Sequence, residues 1–211
     1  MGRRLYPRSK ISRRIGEKLH LKGERDLGAK HAYTRRSYPP GKHGPKGYPR
    51  LTEYGTQLRE KQKLRALFGI MERQFARYVA TATTYKGETG VKLMELLERR
   101  IDNVIFRAHL ASSRTQARQI VSHGHIIING IRVKAPSYQI KPGDVFEVKE
   151  KTKTGALLKE RLQSIRALHL DPPGWIIFDV DAVKGKIDRM PHQDELEQGI
   201  DTRLIVEYYS R

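Results

Sequence analysis

Four groups of residues in this chain have types and spacings from which a functional site could be built, and three of them fail as sites of chemistry. Asp179, Asp181 and Asp188 are the nearest approach to a carboxylate set for acid–base work or Mg²⁺ binding. Asp179 and Asp181 alternate with Val180 in an apolar, β-rich run and its exit, so they read as solvated or partner-facing carboxylates. His123 and His125 flank Gly124 with no nucleophile close in sequence, which fits capping or RNA contact better than catalysis. The turn GKHGPKGYPR offers Gly41-Lys42, but His43 stands where a nucleotide-binding loop needs Ser or Thr, and no apolar strand precedes it. Its backbone amides, with Lys42, Lys46 and Arg50, suit RNA phosphate instead.

The fourth group is cationic. Arg114 and Arg118 are four apart and share one helix face, and Arg132 and Lys134 follow on a hairpin. Four cations on rigid elements can reach phosphates from two backbone segments at once. Recognition of RNA by shape needs that geometry, because the deep A-form major groove hides its base edges. No acidic residue in the Arg114–Arg118 helix is placed to pair with either arginine within one turn, which favours RNA over a surface ion pair.

The elements that must hold these cations are legible from pattern. Leu97, Ile101, Val104, Ile105 and Ala108 repeat at helical spacing, with Glu98, Arg99, Asp102 and Arg107 assigned to the wetter faces. After a short connection, 109–112, Ser113 and Gln116 have capping-box spacing, and Ala117, Ile120 and Val121 point inward. Asn129-Gly130 between IIIN and IRVK predicts a type I′ hairpin, and Lys141-Pro142-Gly143-Asp144 turns the chain into a third strand, VFEV. Upstream, Thr52 can cap a helix over 54–68 that Gly69 ends, with Leu58, Leu64, Leu67 and Phe68 near one face. A second helix over 72–85 turns Phe75, Tyr78 and Val79 inward, and a third opens at Thr89-Gly90 with Leu93, Leu96 and Leu97. Their surface arginines suit solvent and RNA equally. Downstream, 154–169 reads as a helix with Leu158, Leu162, Ile165 and Leu168 on its stripe. Residues 175–180 form a β-rich run with which 183–189 can pair. LIVEYY fits strand or helix, and Asp201 before it favours a short capped helix docked on the early helical block.

The chain has 211 residues, no cysteine and a formal net charge of +19. Residues 1–50 carry 15 Lys/Arg against 3 Asp/Glu, whereas 151–211 balance at 10 against 10. A field so concentrated attracts a polyanion and releases its counterions, so nucleic acid is the expected partner. A membrane is excluded as the alternative: no apolar run approaches the ~18 residues of a spanning helix, and the head lacks the apolar face of an interfacial one. The absence of cysteine rules out disulfides, thiol catalysis and thiolate zinc sites, and the absence of a signal-like apolar core behind MGRRLYPRSK points to the cytoplasm. The head is rich in Gly and Pro, as a disordered tail would be. Yet Tyr6, Leu19, Leu21, Leu27, Tyr33, Tyr38 and Tyr48 are interleaved with its charges, so it is expected to be ordered on RNA, with aromatics stacking on bases. The expected RNA contacts are Arg3, Arg4, Arg8, Lys10, Arg13, Arg14, Lys22, Arg35, Arg36, Lys42, His43, Lys46, Tyr48 and Arg50 in the head. On the central platform they are Arg114, Arg118, His123, Arg132 and Lys134. No catalytic residue, cofactor, metal or small-molecule substrate is expected.

The runs RRIDNVIFR, SRTQARQIVSHGHIIING and PSYQIKPGD resemble the RNA-binding domain named after the fourth protein of the small ribosomal subunit. KISRRIGEKLHLKG, the GKHG turn, YGTQLREKQKLRALFGIMERQF and the closing LIVEYYSR extend the resemblance over nearly the whole chain, to the bacterial-type ribosomal protein S four family. The resemblance implies an α+β fold. A basic extension (1–50) would precede a helical domain (51–96, completed by 172–211). The RNA-binding domain (97–160), two helices on a small curled antiparallel sheet, would be inserted in that domain, followed by a connecting helix end (161–171). It also implies a structural component of the small subunit that binds the 5′ domain of 16S ribosomal RNA and nucleates assembly. Such a protein sits beside ribosomal proteins S three and S five at the messenger-RNA entry side and supports decoding accuracy; some members repress their own operon. Many members bind zinc through head cysteines. None exists here, and His20, His31 and His43 are expected to meet RNA or solvent. An RNA-modifying enzyme with the same module should add a catalytic domain of a couple of hundred residues, against the ~60 left after it here. A free RNA chaperone would need neither the helical block nor the C-terminal match.

Overall fold

The computed structural model describes residues 7–153 and 155–211, and divides into two compact units, Met94–Glu197 and the remainder on both sides of it. In the outer unit, α1 (Arg8–Ile15) and the short α2 (Ala32–Arg35) precede α3 (Glu53–Leu67) and α4 (Glu72–Thr83). Thr52 caps α3, its hydroxyl accepting from Gly55 N at 3.2 Å. Leu64, Leu67 and Phe68 are buried from that helix, and Phe75 and Val79 from α4, while Tyr78 is only partly covered. α5 (Thr89–Glu98) runs from this unit into the central one.

The central unit holds α6 (Ile101–Arg107), α7 (Arg114–Ser122), β1 (Ile126–Ile128), β2 (Ile131–Val133), β3 (Val145–Val148), α8 (Glu150–Lys153), α9 (Ala156–Leu168), β4 (Ile176–Asp179) and β5 (Lys184–Ile187). α10 (Thr202–Ser210) then returns to the outer unit and packs on α3, with Asp201 accepting from Arg203 N and Leu204 N as its cap.

The fold is α+β, as expected, with a larger sheet. Five antiparallel strands run in the order β2-β1-β3-β5-β4. Asn129 and Gly130 both have positive φ (49° and 80°), as a type I′ turn requires, and Ile128 faces Ile131 across it. The expected pairing of 175–180 with 183–189 forms, but β5 also pairs with β3, so the hairpin joins the sheet of β1, β2 and β3. The compact central unit includes residues 172–197, and 198–211 fall in the outer unit. Ile126, Ile128, Phe146, Val148, Ile176 and Ile187 line the inner sheet face against Ile101, Val104, Ile105, Ala117 and Val121. Burial of each large side chain contributes roughly 1.5–3 kcal/mol.

Three local expectations need correction. The helical stripe over 97–108 is two helices, because Arg100 adopts an extended conformation (ψ 133°) and bridges to Gln139. Its five apolar residues are nonetheless all buried. Glu98 and Asp102, assigned to wetter faces, are 0% and 5% exposed; tertiary partners neutralise them. Leu168, expected on the apolar stripe of α9, is 66% exposed at the helix end.

Candidate nucleic-acid interface

The head is a folded lobe from residue 7 onward. Ile15 and Leu19 supply its apolar contacts, and polar groups do the rest. Arg8 Nη1 donates to the Leu21 carbonyl at 3.4 Å, and partial burial lowers its pKa against the opposing pull of Asp26. Asp26 Oδ2 accepts from Lys22 N at 2.9 Å. Arg13 reaches the carbonyls of Tyr38 and Pro39, and Tyr48 Oη donates to the Arg13 carbonyl. Outside this framework Lys10, Arg14, Arg35, Arg36, Lys42, His43, Lys46 and Arg50 are solvent-exposed. Arg3 and Arg4 lie outside the described residues.

His31 departs from the expectation of meeting RNA or solvent: it is 2% exposed. Its Nδ1 accepts from Tyr33 N at 3.2 Å, capping α2, and its ring lies 5.8 Å from that of His20. Burial lowers its pKa, with Asp26 opposing and His20, Lys18 and Lys22 reinforcing. A structural zinc needs four tetrahedral ligands. With no cysteine, and no group of three or more His, Asp or Glu placed for a metal among the described residues, the lobe does not fit one.

The platform puts its arginines to a different use. Ser113 caps α7 by accepting from Gln116 N at 3.3 Å, and Gln116 Oε1 accepts from Ser112 N and Oγ, both at 2.7 Å. This cap aims Arg114 and Arg118 toward acids from other segments. Arg114 Nε donates to Asn103 Oδ1 at 2.9 Å, its Nη2 pairs with Glu197, and its guanidinium lies 4.7 Å from the Phe106 ring centroid. Arg118 pairs with Asp102 at 3.4 Å, and Asp102 also holds the fully buried Arg100 through a bidentate fork. Glu98 accepts from Arg107 Nε at 3.0 Å and Nη2 at 2.6 Å, and from Asn103 Nδ2 at 2.6 Å. Burial alone would lower the Arg107 pKa, but the bonds and charge of Glu98, with Glu197, hold it above its ordinary value.

The sequence argument that Arg114 and Arg118 lack acidic partners holds within one helical turn and fails in three dimensions. Asp102 comes from the preceding helix and Glu197 from far along the chain, so no spacing signal could have found the pairings. Arg132 lies on the hairpin, donating from Nε to the Gly124 carbonyl at 2.7 Å and from Nη2 to His123 O at 3.0 Å, where it satisfies the end of α7. His123 and Lys134 are exposed beside it. His125 Nδ1 meets Thr152 Oγ1 at 2.8 Å, and burial lowers its pKa.

Asp179 and Asp181, the nearest approach to a carboxylate set, have structural roles. Asp179 Oδ1 accepts from Asp181 N and Ala182 N across the β4–β5 turn, and Asp181 pairs with Arg166. Among the described residues no helix is long and apolar enough to cross a membrane. Fold and surface together define the class: a basic α+β protein in two units, with a lobe of exposed cations suited to a polyanion and a platform whose arginines are internally paired.

Comparison with known families makes the assignment specific. Residues 3–98 match the Ribosomal protein S4/S9 N-terminal domain, and residues 99–146 match the S4 domain. The small ribosomal subunit protein uS4 of Thermus thermophilus is 46% identical over 211 residues, all of both chains. That of Pelotomaculum thermopropionicum is 47% identical over 96% of each, and that of Kosmotoga olearia 44% over the full length of both. The chain belongs to the small ribosomal subunit protein uS4 family.

Proposed function

We propose that this protein binds the 5′ domain of 16S ribosomal RNA directly and nucleates small-subunit assembly in the cytoplasm. In the finished subunit it lies beside ribosomal proteins S three and S five near the messenger-RNA entry channel, where it supports decoding accuracy. The observation that carries the RNA reading is the exposed set Lys10, Arg14, Arg35, Arg36, Lys42, Lys46 and Arg50, held on a folded lobe. Exposed cations on a fixed backbone neutralise phosphates with little ordering cost. The platform adds a second contact of defined shape. Lys134 and His123 face solvent there, while Arg114, Arg118 and Arg132 are held by internal bonds that set their directions.

The test is a binding comparison between a 5′-domain ribosomal RNA fragment and transfer RNA of equal length, with sucrose-gradient sedimentation of the protein from cells. Tighter, salt-sensitive binding to the fragment and co-sedimentation with small subunits are expected. Equal affinity for both RNAs, or absence from the small-subunit fractions, would overturn the proposal.

A further inference from the structure

The basic turn 38–48 is fastened at both ends to a single residue. At one end Arg13, in the last turn of α1, donates from Nε to the Tyr38 carbonyl at 3.1 Å and from Nη2 to the Pro39 carbonyl at 3.3 Å. The same guanidinium lies 5.0 Å from the Tyr38 ring centroid. At the other end Tyr48 Oη donates to the main-chain carbonyl of Arg13 at 2.5 Å. Between these fastenings the turn closes on itself: Gly44 N–H donates to the Gly41 carbonyl at 3.1 Å. A Cβ at Gly44 would stand 2.0 Å from the Pro39 carbonyl oxygen, so only glycine permits that approach. Lys42, His43 and Lys46 project from the closed turn into solvent.

We infer that Arg13 is a positioning residue. It shapes the turn that offers Lys42, His43 and Lys46 to RNA phosphate, and its own guanidinium is not a phosphate contact. Tyr48 serves the same end from the far side through its hydroxyl. Two adjacent carbonyls and an aromatic face match a planar fork that also stacks; an ammonium group cannot meet all three. This inference rests on the RNA-binding reading above and replaces the direct contacts expected for Arg13 and Tyr48.

A positioning role and a phosphate contact respond differently to Arg13→Lys. That substitution keeps the charge and loses the fork. Affinity for the 5′-domain RNA fragment should fall by about tenfold in Arg13→Lys and Arg13→Ala alike, the scale of lost hydrogen bonds to a charged group. The slope of log affinity against log salt should stay at its wild-type value in both, because Lys42 and Lys46 still reach phosphate once RNA reorders the loosened turn, and the loss is the cost of that ordering. Tyr48→Phe should lower affinity in the same direction, and the double variant should lose less than the sum of the singles, since both fasten one turn. Amide exchange over 41–47 in the RNA-free protein should rise in Arg13→Lys and Tyr48→Phe, with no change in α6 or α7.

The inference is overturned if Arg13→Lys keeps wild-type affinity while Arg13→Ala loses about 0.7–0.9 of salt slope, the signature of one phosphate contact. It is equally overturned if exchange in the turn is unchanged. The exchange measurement uses no RNA, so it judges Arg13 even if the wild-type protein shows no preference for ribosomal RNA. Tyr48→Phe keeps the test alive if the Arg13 variants do not fold.

Discussion

In α7, Arg114 and Arg118 meet Glu197, Asn103 and Asp102, whereas in the head Arg14, Arg35, Arg36, Lys42 and Lys46 stand exposed on short helices and turns. Both regions carry arginine at high density. Their difference lies in the carboxylates: the head has three among its first 50 residues, while the fold of the central unit brings Glu98, Asp102 and Glu197 to its arginines. Net charge therefore reports the field around a region. It does not report which cations are available to a ligand. In the head the field and the available cations coincide; on the platform, internal pairing fixes guanidinium directions and draws down the local charge.

The largest effect that could break this contrast is loss of Glu98. Glu98→Ala would leave Arg107 with Glu197 alone and strip the buried Asn103 of its carboxylate acceptor, which should destabilise the central unit by about 3–5 kcal/mol. Urea denaturation followed by the fluorescence of Trp175, the lone tryptophan and fully buried in that unit's core, measures it. A change below about 1 kcal/mol would make the network an ordinary surface ion pairing.

A second comparison separates the two classes of cation. Replacing Arg35, Arg36 and Lys42 together with Ala should flatten the salt dependence of RNA binding by about 0.7–0.9 for each phosphate ligand removed, with stability changed by no more than ~0.5 kcal/mol. Arg114→Ala should do the reverse, lowering stability by about 1–3 kcal/mol through its orphaned partners. Its slope change should fall short of that expected for one phosphate ligand. A full slope change with unaltered stability would return Arg114 to the class of phosphate ligands.

The smallest expected effect concerns pH and belongs to the head. Burial holds the folded His31 pKa below its unfolded value of about 6.5. The unfolded chain thus takes up more protons on acidification, and His31 contributes stability that is full above that pH and lost as pH falls below it. Amide exchange over 31–36 should increase between pH 7.5 and 5.5, and His31→Asn, which retains a capping acceptor, should remove the increase. An equal increase in the variant would locate the titration elsewhere.

Much of the local structure could be read from one-dimensional patterns. Thr52, Ser113 and Asp201 marked helix starts because a short side-chain oxygen satisfies amides two or three residues away. Asn129-Gly130 marked the hairpin because both residues must tolerate positive φ. The break at Arg100 escaped the pattern, since the apolar residues on both sides of it, Leu97 and Ile101, are equally buried. The docking of β5 on β3 escaped because strand pairing at long range leaves no mark on local alternation.

The sequence by itself determined that this is a basic, cysteine-free, nucleic-acid-binding chain with a helix-pair-and-hairpin platform, because composition, caps and turn residues act over a few positions. Tertiary structure alone decided which cations face outward. Asp102 and Glu197 reach Arg118 and Arg114, and Arg13 reaches the turn at 38–39, only once segments distant along the chain are folded together. Charge is a property of residues, but its availability depends on which oppositely charged and hydrogen-bonding groups the fold brings within about 3–4 Å.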